Sequence, residues 1–336
     1  MEKNQAMTFG KEPFGEAIGP FADRGDPTGI IIHHGYIVAE WGDPSRVDMT
    51  HSVTKSFLST VVGLAVDRKL IHSTNDKVSE YFTRAIVYDS LYGKPGYNEQ
   101  AVLPFSSPQS KELTWEVMLR QTSDWEGTLW GKPDWADRPD PDSTKWHNRI
   151  RNKPGAVFEY NDVRVNVLAL ATTSVWHKSL PQVLKEKIMT PIGASSTWRW
   201  EGYHNSWILL DGKPVQSVSG GGHWGGGMFI NGYDMARFGL LTLHMGKWKS
   251  KQLISKKWIE QSLTPTTANT GYGYMNFFLN TDKKLLPAAP ATAFVHLGNG
   301  TNLIYVDAEH DIVIVVRWIE NNAMKEMVKK VLESLK

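Results

Sequence analysis

No cysteine occurs among the 336 residues. Disulfides, thiol chemistry and zinc sites built on cysteine are therefore excluded. Neither charge sign is in excess: 37 Lys and Arg stand against 35 Asp and Glu. A balanced chain has no basic surface for nucleic acid and no polybasic anchor for a membrane. Long apolar runs are missing, so no segment reads as a membrane span. The opening residues Met1-Glu2-Lys3-Asn4-Gln5 lead into no apolar signal-peptide core. A cytoplasmic protein is the expectation, although a trimmed secreted one would have the same pattern. His-Glu-x-x-His spacing is absent. His33 and His34 are neighbours on an expected strand, where adjacent side chains point to opposite faces. No metal and no other cofactor is expected, and oligomeric state is not fixed by the sequence.

What is abundant is glycine and tryptophan, 29 and 14 residues. They suggest a turn-rich body around an aromatic-lined cleft. Residues 29–34 and 36–41 read as a hairpin turned at Gly35. The stretch from His51 to Lys69 reads as a buried helix, apolar on almost every face. From about 76 to 215 the texture changes to short helices, loops and prolines. One short helix follows Thr114 as its cap, and one begins near Val163. An amphipathic helix runs over 180–188. Residues 125–155, rich in Trp, Pro and Asp, read as a long irregular loop of the kind that usually carries function. The glycine-rich stretch Ser219–Gly227 lacks the Lys-Ser/Thr of a phosphate loop. A helix follows over 231–241. Strand signals return at 294–296, 303–306 and 312–318, and a helix over 323–335 ends the chain.

Strands at both ends thus bracket a helical middle. The fold class that follows is α+β: an antiparallel sheet flanked by helices, with an inserted, mostly helical subdomain. The expected division is 1–75 with 216–336 for the sheet part and 76–215 for the insert. A cleft between the two is the natural place for a site.

Ser52-Val53-Thr54-Lys55 opens the central helix. Residues three apart share a helix face, so Ser52 and Lys55 point the same way. Burial lowers the pKa of a lysine, which lets it take a proton from a hydroxyl one turn away. Tyr160-Asn161-Asp162 follows Pro154-Gly155 in the middle segment. His296-Leu297-Gly298 lies on a late strand. Taken singly, Tyr160 reads as a packed aromatic, His296 as a strand histidine and Asp162 as a helix N-cap.

In this order the three pieces resemble the serine β-lactamase and penicillin-binding protein superfamily: Ser-x-x-Lys, Tyr-x-Asn, then Lys/His-x-Gly. The tyrosine form of the second motif is similar to the class C branch. Within it the chain looks most like the esterases and 6-aminohexanoate-dimer hydrolase-like serine hydrolases. Met118–Trp125, Gly226-Gly227-Met228 and Asp234–Gly239 fit the same pattern, so the resemblance runs from about 28 to 320. It implies an acyl-enzyme on Ser52, Lys55 as proton acceptor, and Tyr160 as proton shuttle to the leaving group and water. It also implies an oxyanion hole from the backbone N–H groups of Ser52 and Asn299, beside Gly298. His296 is the counterpart of the cation in the third motif and orients Tyr160 or the substrate. The partner implied is a small amide or ester. A class C-type β-lactamase, a D-amino-acid peptidase and a non-catalytic peptide-binding relative are the alternatives.

Two positions depart from the pattern. Asp162 replaces a neutral Asn, and a carboxylate beside Lys55 favours the ammonium. Either Asp162 points away as a cap, or the proton path leans on Tyr160. Leu297 stands where Thr or Ser is usual, which removes a hydroxyl that would hold a substrate carboxylate. Trp130 and Trp224, in loops, are the candidates to line an apolar substrate cleft.

Overall fold

The computed structural model describes residues 2–89, 94–95, 101–147 and 149–335. Its main sheet has six strands. β1 (Thr28–His33) and β2 (Tyr36–Trp41) come from one end of the chain. β3 (Phe277–Leu279), β4 (Phe294–Gly298), β5 (Asn302–Asp307) and β6 (Ile312–Arg317) come from the other. The order is β3-β4-β5-β6-β1-β2, with every neighbouring pair antiparallel. The seam between the two ends is β1 on β6, with Ile31 opposite Ile314.

Apart from the exposed edge strand β2, both faces of the sheet are covered, which explains why β6 reads as an unbroken apolar run. On one face Ile30, Ile304, Val313 and Val315 belong to the core shared with helices α1 (Thr54–Asp67) and α3 (Gly232–Leu243). Phe57 of α1 and Phe238 of α3 meet there, ring centroids 4.2 Å apart. On the other face Leu303, Tyr305, Ile312 and Ile314 pack with Met324, Val328 and Leu332 of α4 (Ala323–Ser334). Helix α2 (Asp162–Trp176) is buried along most of its length and packs on α1. This is the expected α+β arrangement of antiparallel sheet and helices.

Two stretches of the middle segment differ from expectation. Residues 199–218 form a strand pair, Arg199–Leu210 with Lys213–Val218. Its register shifts between Gln216 and Val218. The sequence Gly202-Tyr203-His204-Asn205-Ser206-Trp207 lacks the clean alternation that announces a half-buried strand. The second of these strands leads directly into the glycine-rich loop. The stretch 180–188 is an α-turn, Leu180–Leu184, running into a π-turn, Lys185–Met189.

The long loop is held both by core residues, Trp125, Leu129, Trp130 and Ala136, and by charge. Arg164, on α2 and buried, donates from Nη2 to Asp124 at 3.0 Å and from Nε to the Trp125 carbonyl at 3.0 Å. Asp134 and Glu159 face the same guanidinium at 3.4 and 3.1 Å. Breaking such a buried pair by removing one partner typically costs about 3–5 kcal/mol.

Candidate active site

Ser52 sits in a 3-10 turn, His51–Val53, immediately before α1. It makes no side-chain cap, so its hydroxyl is left for the cleft. Two glycines allow this turn to be approached closely. A Cβ on Gly221, whose φ is +78°, would lie 2.1 Å from the His51 carbonyl oxygen. A Cβ on Gly298 would lie 2.1 Å from the Thr50 carbonyl oxygen and 3.1 Å from the Ser52 amide nitrogen. The glycine-rich loop and the end of β4 therefore close on Ser52 from two sides, and any larger residue would hold them off.

One helical turn on, Lys55 is wholly buried. Its Nζ lies 2.9 Å from Ser52 Oγ, 3.2 Å from the Gly220 carbonyl and 2.7 Å from Asp162 Oδ1. Two of its N–H groups go to Ser52 and Gly220, and the Asp162 carboxylate stands beside it at ion-pair distance. The cap of α2 is Asn161, whose side chain accepts from Arg164 N at 3.0 Å. Asp162, for which a cap was one of the two alternatives, is the first helical residue and turns its carboxylate inward onto Lys55. Burial works to raise its pKa, but the Lys55 and Arg138 cations outweigh burial and hold it below the usual carboxylate range.

Tyr160 brings its hydroxyl to the same place. It donates to Asn276 Oδ1 at 3.1 Å, and the Ser52 side chain is near enough to act on it. Lys55 Nζ and Arg138 Cζ lie 5.1 and 5.0 Å from its ring centroid. Burial, with Asp162 adding to it, pushes the phenol well above its ordinary value, so the resting state is the neutral hydroxyl. Asn276 also donates from Nδ2 to the Leu297 carbonyl, tying Tyr160 to β4. Its backbone is left-handed, φ +68°. Nothing in its sequence neighbourhood marked Asn276 for this place.

A cleft of about 610 Å³ opens over these groups. Ser52, Tyr160, Asp162, Gly298 and Asn299 line it, and Leu297 forms part of its wall. So do Phe9, Glu12 and Pro13 from the first residues of the chain, and Phe278 and Trp318. These aromatics, not the expected tryptophans, face the cleft. Trp130 is buried and its carbonyl accepts from Asn205. Trp224, within the glycine-rich loop, is fully buried, its Nε1 donating to the Phe14 carbonyl at 2.8 Å. Neither lines the cleft.

His296 is also placed otherwise than expected. It faces the helix side of β4, with Nδ1 2.8 Å from Ser56 Oγ and its ring 4.5 Å from that of Phe277. Burial lowers its pKa to about 3, so it is neutral. The role of a cation at the cleft is closed to it, because the strand's alternation gives the cleft face to Leu297.

Behind Asp162 lies a second buried carboxylate, Asp137. Burial, and then the Asp162 charge, raise it to about 7. His223 stands between Asp137 Oδ1, 3.2 Å from Nε2, and Glu12 Oε2, 3.1 Å from Nδ1. Asp137, Asp162 and His223 come within 4.8 Å of one another, the spacing of a metal site. Lys55 and Arg138 already bring two positive charges to these carboxylates, so a further cation would enter against them.

The family model described as Beta-lactamase matches residues 30–326. No curated protein matches the sequence. Among solved structures, a Bacillus anthracis protein assigned as a 6-aminohexanoate-dimer hydrolase superposes with a TM-score of 0.62 at 15% identity, over 100% of this chain and 90% of that one. A β-lactamase from Mycobacterium bovis gives 0.61 at 16%, over 92% and 94%. A family VIII carboxylesterase gives 0.59 at 16%, over 99% and 96%. At these identities the likeness is one of fold. No helix among the described residues is long and apolar enough to cross a membrane.

Proposed function

Because this chain belongs to the β-lactamase family of serine hydrolases, we propose that it cleaves an amide or ester of a small substrate through an acyl-enzyme on Ser52. The observation that carries this reading is the 2.9 Å contact between Lys55 Nζ and Ser52 Oγ at the floor of the cleft, with the Tyr160 hydroxyl beside them.

On this reading the reactive form carries Tyr160 as its phenolate: Ser52 Oγ attacks the carbonyl carbon, and its proton passes to the Tyr160 oxygen. Lys55 is paired with Asp162, so in this scheme the group that changes protonation is Tyr160. As a phenolate it lies between two cations, Lys55 and Arg138, which lower the cost of its charge. The oxyanion forms against the N–H groups of Ser52 and Asn299. Tyr160 then gives the proton to the leaving nitrogen or oxygen. In the second half it takes one from water, whose oxygen attacks the acyl carbon and frees Ser52. On this reading the cleft lies between the sheet part of the chain and the insert of 76–215.

The substrate space favours an ester or a linear amide over a β-lactam. Leu297 offers no hydroxyl to a carboxylate, and His296 is turned into the core. The test is a panel assayed side by side: short-chain p-nitrophenyl esters, D-amino-acid amides, linear amide dimers and nitrocefin. Turnover of esters or linear amides that vanishes in Ser52→Ala supports the proposal. Undiminished turnover in that variant contradicts it.

A further inference from the structure

Lys55 spends its charge inside the protein, on Ser52, Gly220 and Asp162. A second cation in the cleft is placed differently. Arg138 has a left-handed backbone, φ +57°, a conformation uncommon for a residue with a long side chain. The turn brings its guanidinium over the Tyr160 ring, 5.0 Å from the centroid. All its hydrogen bonds run through Nη1: to Asp137 Oδ1 and Oδ2 at 2.7 Å each, and to the Tyr160 carbonyl at 3.3 Å. Nε and Nη2 make no hydrogen bond to the described residues. The side chain is 52% exposed, while that of Asp137 behind it is fully covered. It lines the same cleft as Ser52.

A guanidinium needed only to balance Asp137 requires neither a strained turn nor an exposed edge. Here one edge of the planar fork is fastened to the protein and the other is left for a ligand. Such a fork matches a carboxylate, which accepts two parallel N–H bonds. The late strand across the cleft supplies no cation, since His296 is buried and Leu297 is apolar. Phe9, Phe278 and Trp318 give the space between an apolar lining.

We propose that Arg138 is a carboxylate-binding residue, which places an anionic group of the substrate beside Tyr160 while the scissile carbonyl lies at Ser52. The word substrate here rests on the hydrolase reading; the anion site itself does not.

The direct test is calorimetric titration of the full-length protein with 4-phenylbutyrate and with its neutral amide. The acid should bind at least about tenfold tighter. Arg138→Gln should remove the preference, and Arg138→Lys, which keeps the charge beside Asp137 but not the fork, should retain part of it. Equal binding of acid and amide to the native protein, or a preference that survives in folded Arg138→Gln, overturns the proposal. A kinetic arm compares mono-p-nitrophenyl glutarate with p-nitrophenyl butyrate. Arg138→Gln should lower the ratio of their kcat/KM values about tenfold, through KM. If neither ester is turned over while the acid still binds through Arg138, the hydrolase reading falls and the anion site stands.

Discussion

Lys55 Nζ lies 2.7 Å from Asp162 Oδ1, with both side chains buried. This pair sets the protonation state at the centre of the site. An unpartnered lysine in such a place would be driven toward neutrality by desolvation. Here Lys55 has the Asp162 carboxylate at ion-pair distance and donates to Gly220 and Ser52.

Asp162→Asn should therefore change the pH dependence more than the fold. The amide keeps the shape but no longer favours the ammonium. Lys55 then loses its proton at lower pH and becomes a base in its own right. The acid limb of the kcat profile should move down by at least about one pH unit. A profile with an unmoved acid limb in folded Asp162→Asn would mean that the pair does not control the base.

Lys55→Ala and Tyr160→Phe should each lower kcat by about 100- to 10,000-fold, the usual range for general acid–base groups. They should differ by leaving group. Tyr160→Phe should harm an amide more than a p-nitrophenyl ester, because p-nitrophenolate leaves without a proton. Activity of the native protein should climb with pH into the alkaline range, since burial raises the Tyr160 phenol. Equal loss on amide and ester in Tyr160→Phe would remove the tyrosine from leaving-group protonation.

His296 makes a prediction about stability. Its pKa falls from 6.5 unfolded to about 3 folded, as does that of His51. Both must take a proton on unfolding in acid. Their stabilisation is present in full above about pH 6.5 and is lost as pH falls toward 3. His296→Gln keeps a partner for Ser56 and should flatten the fall in Tm over that window, while kcat/KM changes by less than about tenfold. An unchanged slope would show that the folded histidine is not held neutral.

Leu297 bears on substrate choice. Catalytic efficiency on nitrocefin should lie well below that on a short p-nitrophenyl ester. Leu297→Thr should raise the nitrocefin value by restoring a donor on β4. Nitrocefin turned over as well as the ester by the native protein would end the argument from Leu297.

The sequence announced some of this site and hid the rest, for identifiable reasons. Ser52 and Lys55 are one helical turn apart, so local geometry alone unites them. The sheet built from both ends was legible, its short edge strand β3 excepted, because its other strands are apolar and well separated by turns. The phase of β4 was not: Phe294 and His296 alternate with Val295 and Leu297, apolar on both sides, so nothing showed that the histidine faces the core. Asn161, not Asp162, took the cap, since both residue types suit that position and tertiary pairing with Lys55 decided between them. Arg138, Asp137 and His223 come from irregular loops and meet only in three dimensions. Phe9 and Glu12 lie in an opening segment without periodicity, yet they wall the cleft.

The central claim is that Ser52 is the nucleophile. The most direct measurement is the intact mass of the full-length protein after treatment with a fluorophosphonate, followed by peptide mapping. A single adduct on Ser52, absent from Ser52→Ala, is the predicted result. A folded native protein that takes no adduct, or an adduct that persists in Ser52→Ala, would contradict it.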